Sequence, residues 1–420
     1  MQIKRQSIAP LLSPRPSVLV GIAIVFAAAS TPLPTAWGSF ALVLLLLAFF
    51  TQSYKAEIWK GLFNNQPSQA AWLFLAALAI GMLYGKTDLH QAFEFWSKYL
   101  KLLAIPLIIA MAPNKKWRIL ALNSALAAIT LSVIVSYMRY FGLIHPFIDP
   151  NQAYIGFQNR ITFGLYTSVA SYIFAYRAIR SQKINLQIYY AILFVCMAYN
   201  TLAINNGRTG YVIFFSLTAL FLVRHIKKSW RLPSFAIAMI GIAAILLASP
   251  ISRDRLERTL ANAQTLESKH PTEESSIVIR WQFFKNSLAI IESAPILGHG
   301  TGSFETQYAQ QILGTKQVGS SNPHNDYLLI VAQLGVLGLL VEFYLIIALY
   351  KAAQGLAPEK KEWAYALLLA FILYSALNST LLNAGEGRFF AILFSIILLP
   401  DRDWNNPGPA WHIRNISKHE

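Results

Sequence analysis

The chain has 420 residues, of which 55% are hydrophobic and only 13% are charged, and its formal net charge is +16 at pH 7. Apolar runs recur along almost its whole length, which excludes an ordinary soluble domain and predicts an all-α, polytopic integral membrane protein. The single cysteine, Cys196, excludes a disulfide within one chain and a cysteine-based metal site.

Twelve apolar segments are candidate membrane spans. They cover roughly residues 17–31, 37–50, 70–85, 95–112, 117–140, 160–179, 184–203, 210–226, 234–248, 324–350, 361–382 and 389–400. The segments 37–50 and 389–400 are the weakest, because about 20 apolar residues are needed to cross about 30 Å of hydrocarbon. The pattern predicts about twelve transmembrane helices.

Lysine and arginine are concentrated in every second connecting segment. If the N-terminus is cytoplasmic, each inside segment is basic, from Lys4 and Arg5 at the start to Arg414 and Lys418 at the end. The positive-inside rule therefore predicts that both termini are cytoplasmic. Because this topology accounts for most of the positive charge, the charge does not predict nucleic-acid binding.

One long connecting segment divides the chain. Residues 249–323 separate nine predicted spans in residues 1–248 from three in residues 324–400, and residues 401–420 form a cytoplasmic tail. In this orientation the long segment, between spans 9 and 10, is periplasmic. It is long enough to fold back over the membrane face as a lid.

The long segment contains two predicted helices and a glycine-rich loop. Residues 253–269 are charged and amphipathic, whereas residues 276–292 carry an apolar stripe with Arg280 beside it. The sequence LGHGTGSF at 297–304 predicts a flexible or tightly bent loop. Its GxGxG pattern is not a dinucleotide-binding fingerprint, because no strand precedes it.

A polar turn containing His324 leads into the apolar segment 324–350. Asn322 suits the N-cap and Pro323 the first helical position. The positive end of a helix disfavours an imidazolium, so His324 is predicted to stay neutral and able to accept a proton, with free N–H groups to hold an anion nearby. The alternative is that His324 only caps a membrane helix at the interface.

The predicted topology brings four arginines to the same side as His324: Arg160, Arg208, Arg280 and Arg388. Arginines around a neutral histidine suit a phosphate or pyrophosphate. No Asp-x-Asp pair occurs in an outer loop, so no metal site is predicted and the arginines would supply the neutralising charge. The alternative for each arginine is an interfacial position.

Other charged residues of the spans are interpreted as interfacial. Lys98 and Lys101 are predicted to extend their ammonium groups to the membrane surface. Glu342 would lie about 27 Å along its helix from His324, near the cytoplasmic surface. A transporter or flippase for a lipid-linked anion is a possible function of another class. No matching pair of broken helices is evident in two six-span halves, which disfavours it.

The sequence SIVIRWQFFKNSLAIIESAPILGHGTGSF is followed by PHNDYLLIVAQLGVLG and preceded by GRTGY between two spans. This set resembles the O-antigen ligase and polymerase superfamily of bacterial polytopic glycosyltransferases, over roughly residues 140–350. By this resemblance, His324 matches the essential histidine, Arg208 the arginine of a turn between spans, and Arg280 the arginine of the large periplasmic loop.

The resemblance implies inverting, metal-independent glycosyl transfer without a cofactor, on the periplasmic face of a Gram-negative inner membrane. The donor would be a glycan on undecaprenyl pyrophosphate and the acceptor a sugar hydroxyl of lipid A–core. His324 would act as general base, and Arg208 and Arg280 would hold the pyrophosphate. The other predicted substrate-binding residues are Arg160, Asn325 and Arg388.

Ligase, polymerase and protein O-oligosaccharyltransferase remain open within the superfamily. Polymerases are recognised partly by outer loops with Arg-x10-Gly, and none of the outer arginines here has a glycine eleven residues on. Protein-glycosylating members usually carry additional C-terminal segments, which this sequence lacks. Ligase is therefore the favoured prediction.

Overall fold

The computed structural model describes residues 16–399 except positions 53, 55, 148, 150, 151, 255, 256 and 258–275. Within those residues the chain is all helical and contains no strand, which agrees with the predicted fold class. The predicted helix at 253–269 lies largely outside the described residues, and the tail at 401–420 lies wholly outside them.

The principal helices are numbered in chain order. They are α1 (Pro16–Ser30), α2 (Thr35–Phe50), α3 (Ala56–Phe63), α4 (Gln66–Tyr84), α5 (Leu89–Ser97), α6 (Ala104–Met111), α7 (Lys115–Tyr140), α8 (Arg160–Arg180), α9 (Ile184–Tyr199), α10 (Arg208–His225), α11 (Lys228–Ala248), α12 (Ser276–Ser293), α13 (Phe304–Gln311), α14 (Asp326–Gln354), α15 (Pro358–Leu377) and α16 (Ala384–Leu398). A 3₁₀ turn, Leu100–Leu103, precedes α6, and a π-helical turn, Asn200–Ile204, continues α9.

Five helical segments are long and apolar enough to cross a membrane, which supports a polytopic membrane protein. They are Gln66–Tyr84, Lys115–Tyr140, Ile184–Ile204, Lys228–Ala248 and Asp326–Gln354. Shorter apolar helices occupy Val18–Ser30, Thr35–Phe50 and Leu100–Met111. Each of the twelve predicted segments contains a helix, whereas the number that cross the membrane stays a prediction.

The predicted span 95–112 is not one continuous helix. Helix α5 ends at Ser97, and the 3₁₀ turn Leu100–Leu103 intervenes before α6 begins. Pro106 explains the interruption, because it has no N–H to donate to the carbonyl of Leu102 in a continuous α-helix. The sequence-based prediction is wrong at this point.

Helix α16 lies at the centre of the bundle. Every residue from Gly385 to Leu398 is buried, as expected for a helix that is surrounded by others. Helix α11 is the opposite case, since Ile242 is its buried residue and most of its apolar side chains face outward. An apolar helix with an exposed apolar surface suits a position at the lipid boundary.

The helix ends form two groups, one at each end of the bundle. At one end, called here the basic end, Arg118 donates to the carbonyl of Leu399 at 2.8 Å and Arg224 bonds both carboxylate oxygens of Glu362 at 2.5 Å. At the other end, called here the His324 end, α4, α7 and α15 finish while α8, α10 and α16 begin. The candidate site residues therefore share one end of the bundle.

Helix α14 folds back on itself at Gly335. The rings of Tyr327 and Phe343 lie 6.0 Å apart, although sixteen residues of straight helix would separate them by about 24 Å. Gly335 adopts φ 63° and ψ −162°, and a Cβ there would lie 2.1 Å from the carbonyl oxygen of Ile296. Glycine fits this reversal, and the predicted single helix at 324–350 is corrected to two.

The glycine-rich loop at 297–304 is wedged into the reversal. The backbone N–H of Val336 donates to the carbonyl of Pro295 at 2.9 Å, and the N–H of Gly300 donates to the carbonyl of Gln333 at 2.8 Å. Thr301 also donates its backbone N–H to a carbonyl of α4 at 3.0 Å. The loop thus bonds backbone groups that a break in a helix leaves without helical partners. Of the two predicted states, flexible and tightly bent, the structure shows the second.

Candidate active site

His324 lies in the turn immediately before α14. Its φ of 52° is in the left-handed region, which residues other than glycine adopt rarely and at an energetic cost. Helix α14 begins at Asp326, and the side chain of Asn325 caps it by accepting from the backbone N–H of Leu328 at 3.0 Å. The predicted cap at Asn322 is therefore wrong.

Asn322 instead shapes the turn that carries His324. Its side-chain oxygen accepts from the backbone N–H of His324 at 3.1 Å and from the hydroxyl of Ser379 at 3.0 Å. The first bond is an Asx turn, a local structure that competes with helix formation. This turn explains why the helix starts later than the Asn-Pro sequence predicts.

The end of α15 and the segment that follows it hold both sides of His324. Asn325 donates its side-chain N–H to the carbonyl of Ala376 at 2.9 Å, and Asp326 accepts from the backbone N–H of Leu381 at 2.7 Å. Together with the bond between Ser379 and Asn322, these contacts fix the backbone around the histidine. A fixed backbone is what a preorganised catalytic group requires.

Lys101 supports the same segment from its far side. Its ammonium donates to the carbonyls of Leu382 at 2.9 Å and Asn383 at 2.7 Å, and the residue is only 5% exposed. The prediction that Lys101 extends to the membrane surface is wrong, because its ammonium faces these carbonyls. Lys98 fits its predicted role, since it is exposed and pairs with Glu94 at 3.4 Å.

Helix α12 brings Arg280 to His324. The imidazole stacks on Phe283, one helical turn after Arg280, with ring centroids 5.8 Å apart and an interplanar angle of 26°. Burial first, and the charge of Arg280 second, lower the pKa of His324 below its usual value of 6.5. The direction agrees with the predicted neutral ring, but the causes are burial and a neighbouring cation.

Arg160 and Arg208 begin two neighbouring helices. The side chain of Asn205 donates to the backbone carbonyl of Arg160 at 2.9 Å, and a Cβ on Gly207 would lie 2.7 Å from the same oxygen. This close approach places the start of α10, at Arg208, beside the start of α8. Both arginines are half-buried, at the end of the bundle that carries His324.

Residues 192–343 match a protein-family model described as O-antigen ligase. This match supports membership of the O-antigen ligase and polymerase superfamily. The matched region contains Arg208, Arg280 and His324, whereas Arg160 and Arg388 lie outside it. No curated protein matches the chain.

Proteins of this family have, in general, glycosyltransferase-like ligase or polymerase activity on lipid-linked glycans in a membrane. The match therefore confirms the resemblance that the sequence motifs indicate.

The side chains of Asn325 and Arg388 form hydrogen bonds with other groups of the protein. The side-chain oxygen and nitrogen of Asn325 bond Leu328 and Ala376. Arg388 is 5% exposed and donates to the carbonyls of Ala384 and Thr35, both at 2.8 Å. These contacts place Arg388 between α2 and α16, and the predicted substrate-binding roles of both residues stay predictions.

Glu342 does not lie where the sequence predicts. The chain reversal at Gly335 brings Glu342 within electrostatic reach of Asp326, and neither carboxylate oxygen of Glu342 has a hydrogen-bond partner in the described part of the protein. Glu342 is fully buried, so the prediction that it lies at the cytoplasmic interface is wrong. A charged residue inside an apolar helix was the available signal.

No group of three or more His, Cys, Asp or Glu side chains able to hold a metal ion occurs among the described residues. Metal-independent transfer remains a prediction from the sequence.

Proposed function

We propose that the protein is an O-antigen ligase that transfers a glycan from undecaprenyl pyrophosphate to a sugar hydroxyl of lipid A–core. The reaction takes place on the periplasmic face of a Gram-negative inner membrane, with both termini in the cytoplasm. One observation carries the proposal. A half-buried histidine with a lowered pKa stacks on Phe283, in the helix that bears Arg280 and within the region that matches the family.

His324 acts as the general base in a single displacement. A ring nitrogen accepts the proton of the acceptor hydroxyl while the hydroxyl oxygen bonds to the anomeric carbon of the donor. The bond from that carbon to the pyrophosphate oxygen breaks at the same time, and the configuration inverts. General base catalysis of this kind contributes about 10²–10⁴-fold to a rate.

Arg208 and Arg280 bind the leaving undecaprenyl pyrophosphate. The charge on its oxygen grows as the anomeric bond breaks, so the arginines stabilise the transition state more than the bound donor. Arg160, which begins the neighbouring helix, adds a further cation for the same anion. Asn325 positions His324 through Ala376, and Arg388 holds α2 against α16.

Polymerase and protein O-oligosaccharyltransferase differ from ligase mainly in the acceptor. The absence of Arg-x10-Gly at the outer arginines supports ligase over polymerase. A test is to offer purified protein the lipid-linked donor with lipid A–core, with a second donor molecule, or with protein acceptors. Product with lipid A–core alone is the expected result, and product only with another acceptor would contradict the ligase assignment.

A transporter for a lipid-linked anion is a second candidate, because the structure interrupts two helices that look continuous in the sequence. The breaks occur at Leu100–Leu103 in the fourth predicted span and at Gly335 in the tenth, which is the fourth of the second half. Paired interruptions are typical of transport sites. Transfer yields a covalent glycan product from purified components, whereas transport relocates an unchanged lipid, and this difference separates the two functions.

Transfer should continue in excess chelator and without nucleotide. The outer loops carry no Asp-x-Asp pair that would hold Mg²⁺ or Mn²⁺ on a pyrophosphate. The measurement is the amount of capped lipid A–core formed by purified protein with and without chelator. Activity lost with chelator and restored by one divalent ion would show that the pyrophosphate site depends on a metal.

A further inference from the structure

A cavity of about 820 Å³ opens at the basic end of the bundle, away from His324. It is formed by α7, by the end of α8, by the start of α9 and by the start of α15. The lining residues that matter here are Asn123, Tyr176, Arg177, Arg180, Tyr190 and Glu359. The proposed transfer reaction uses none of them.

Arg177 is held in a fixed position inside this cavity. Its guanidinium donates to the side-chain oxygen of Asn123 at 2.9 Å. The same group lies 5.1 Å from the ring centroid of Trp363 and 5.7 Å from that of Tyr190. Arg177 also interacts electrostatically with Glu359 and bonds the side chain of Tyr190. Its guanidinium stays cationic at neutral pH and has further N–H donors for an anion.

Arg180 adds a second cation near the cavity mouth. It is exposed, and its guanidinium lies 5.7 Å from the ring centroid of Tyr176. Ion pairs among the described residues include Lys98 with Glu94, and Arg224 and His225 with Glu362. Neither cavity arginine takes part in these pairs. With Glu359 as the acidic side chain of the lining, the formal charge of the cavity is positive.

The start of α15 makes the cavity more attractive to anions. Ala357, Pro358 and Glu359 line the cavity, and Ala357 has no side-chain group to cap the free N–H groups of the first turn. An uncapped helix N-terminus carries a partial positive charge and binds phosphate groups readily. The two arginines and this helix end therefore converge on one space.

The surroundings of the cavity favour a lipid over a soluble ligand. Leu186, which lines the cavity, is 43% exposed, and Ile184 beside it is 64% exposed. These exposed apolar side chains lie at the start of α9, at one end of a membrane-spanning segment. Basic pockets between membrane helices at this level recognise the headgroups of anionic lipids.

We propose that this cavity binds the phosphate-bearing headgroup of an anionic phospholipid. Arg177 and Arg180 bond the phosphate, and the acyl chains lie along the exposed apolar side chains of α9. The bound lipid ties α7, α8 and α9 to the start of α15. Because the other end of α15 holds Asn325 beside His324, the lipid stabilises the helix that supports the candidate site.

The test measures thermal unfolding of the purified full-length protein in nanodiscs of phosphatidylcholine, to which phosphatidylglycerol is added in steps. Phosphatidylglycerol should raise Tm, and equal amounts of additional phosphatidylcholine or of inorganic phosphate should not. The Arg180→Gln variant should need about ten times more phosphatidylglycerol to reach half of the maximal increase in Tm, since one charged hydrogen bond is lost. Arg177→Gln should show the same change.

Lys351→Gln is the matched control, because Lys351 is exposed in the last turn of α14 at the same end and does not line the cavity. It should retain the wild-type response. An equal rise of Tm with phosphatidylcholine, or with inorganic phosphate alone, would overturn the assignment to an anionic lipid. A wild-type response of Arg180→Gln would also overturn it. Since Arg180 is exposed, this variant is expected to fold even if Arg177→Gln does not.

Discussion

Replacing His324 with alanine should lower the rate of glycan transfer by about 10²–10⁴-fold, because no other group would accept the proton of the attacking hydroxyl. The loss should appear without a loss of protein, since the ring is only partly buried and stacks on Phe283 alone among the aromatic rings of the described residues. In cells, lipid A–core should lack the polymer. In a purified system, the rate with both lipid-linked substrates reports the same loss directly.

His90→Ala is the control for this substitution. His90 is exposed in the first turn of α5, and we expect its removal to leave transfer unchanged. Nearly normal amounts of capped lipopolysaccharide in the His324→Ala variant would remove the general base from the proposal. Loss of transfer together with loss of membrane-inserted protein would indicate a structural role instead.

Arg208→Lys and Arg280→Lys should each lose most of their activity at normal protein levels. The planar guanidinium makes two parallel hydrogen bonds to a pyrophosphate, which one ammonium cannot reproduce. The loss should appear in turnover more than in donor affinity, because these bonds strengthen as the leaving group gains charge. The measurement is kcat and KM for the donor in each variant.

Lys98→Arg is the matched control for the arginine substitutions. Lys98 is exposed and pairs with Glu94, so a change of cation there should not affect transfer. Lys101→Arg is not a suitable control, because Lys101 is buried and bonds the segment that holds His324. Wild-type rates in both Arg→Lys variants would reduce Arg208 and Arg280 to interfacial residues.

Patterns that depend on local sequence were predicted well. The apolar stripe at 276–292 predicted a helix, and α12 is observed at Ser276–Ser293. The twelve apolar segments are likewise helical, because the backbone of an apolar segment must satisfy its own hydrogen bonds in a membrane. Local periodicity reports these features directly.

Contacts between distant segments were not predictable from one sequence. The reversal at Gly335 depends on the loop near Ile296, about forty residues earlier, which enters the break and bonds its free backbone groups. Without that insertion, the apolar sequence after Asp326 is typical of a continuous helix. The same reversal moved Glu342 away from its predicted position at the membrane surface.

The position of Lys101 illustrates the same limit. An isolated lysine near the end of an apolar segment usually extends to water, and that expectation is reasonable for a single helix. Here the ammonium bonds carbonyls of Leu382 and Asn383, which lie about 280 residues later in the chain. The sequence contains no local signal for that pairing.

The central claim is that a neutral His324 beside Arg280 accepts a proton, and the pH dependence of kcat/KM tests it most directly. The acid limb should report an apparent pKa below 6.5, since burial and Arg280 disfavour the imidazolium and the base loses activity only when it is protonated. In the Arg280→Gln variant the neighbouring cation is lost, so the apparent pKa of the acid limb should rise. The limb is compared after the kcat/KM values of each variant are normalised to its own maximum. In Arg280→Lys, which keeps the charge, the apparent pKa should stay low. An acid limb that is absent, or that lies at the same pH in wild type and Arg280→Gln, would contradict the account.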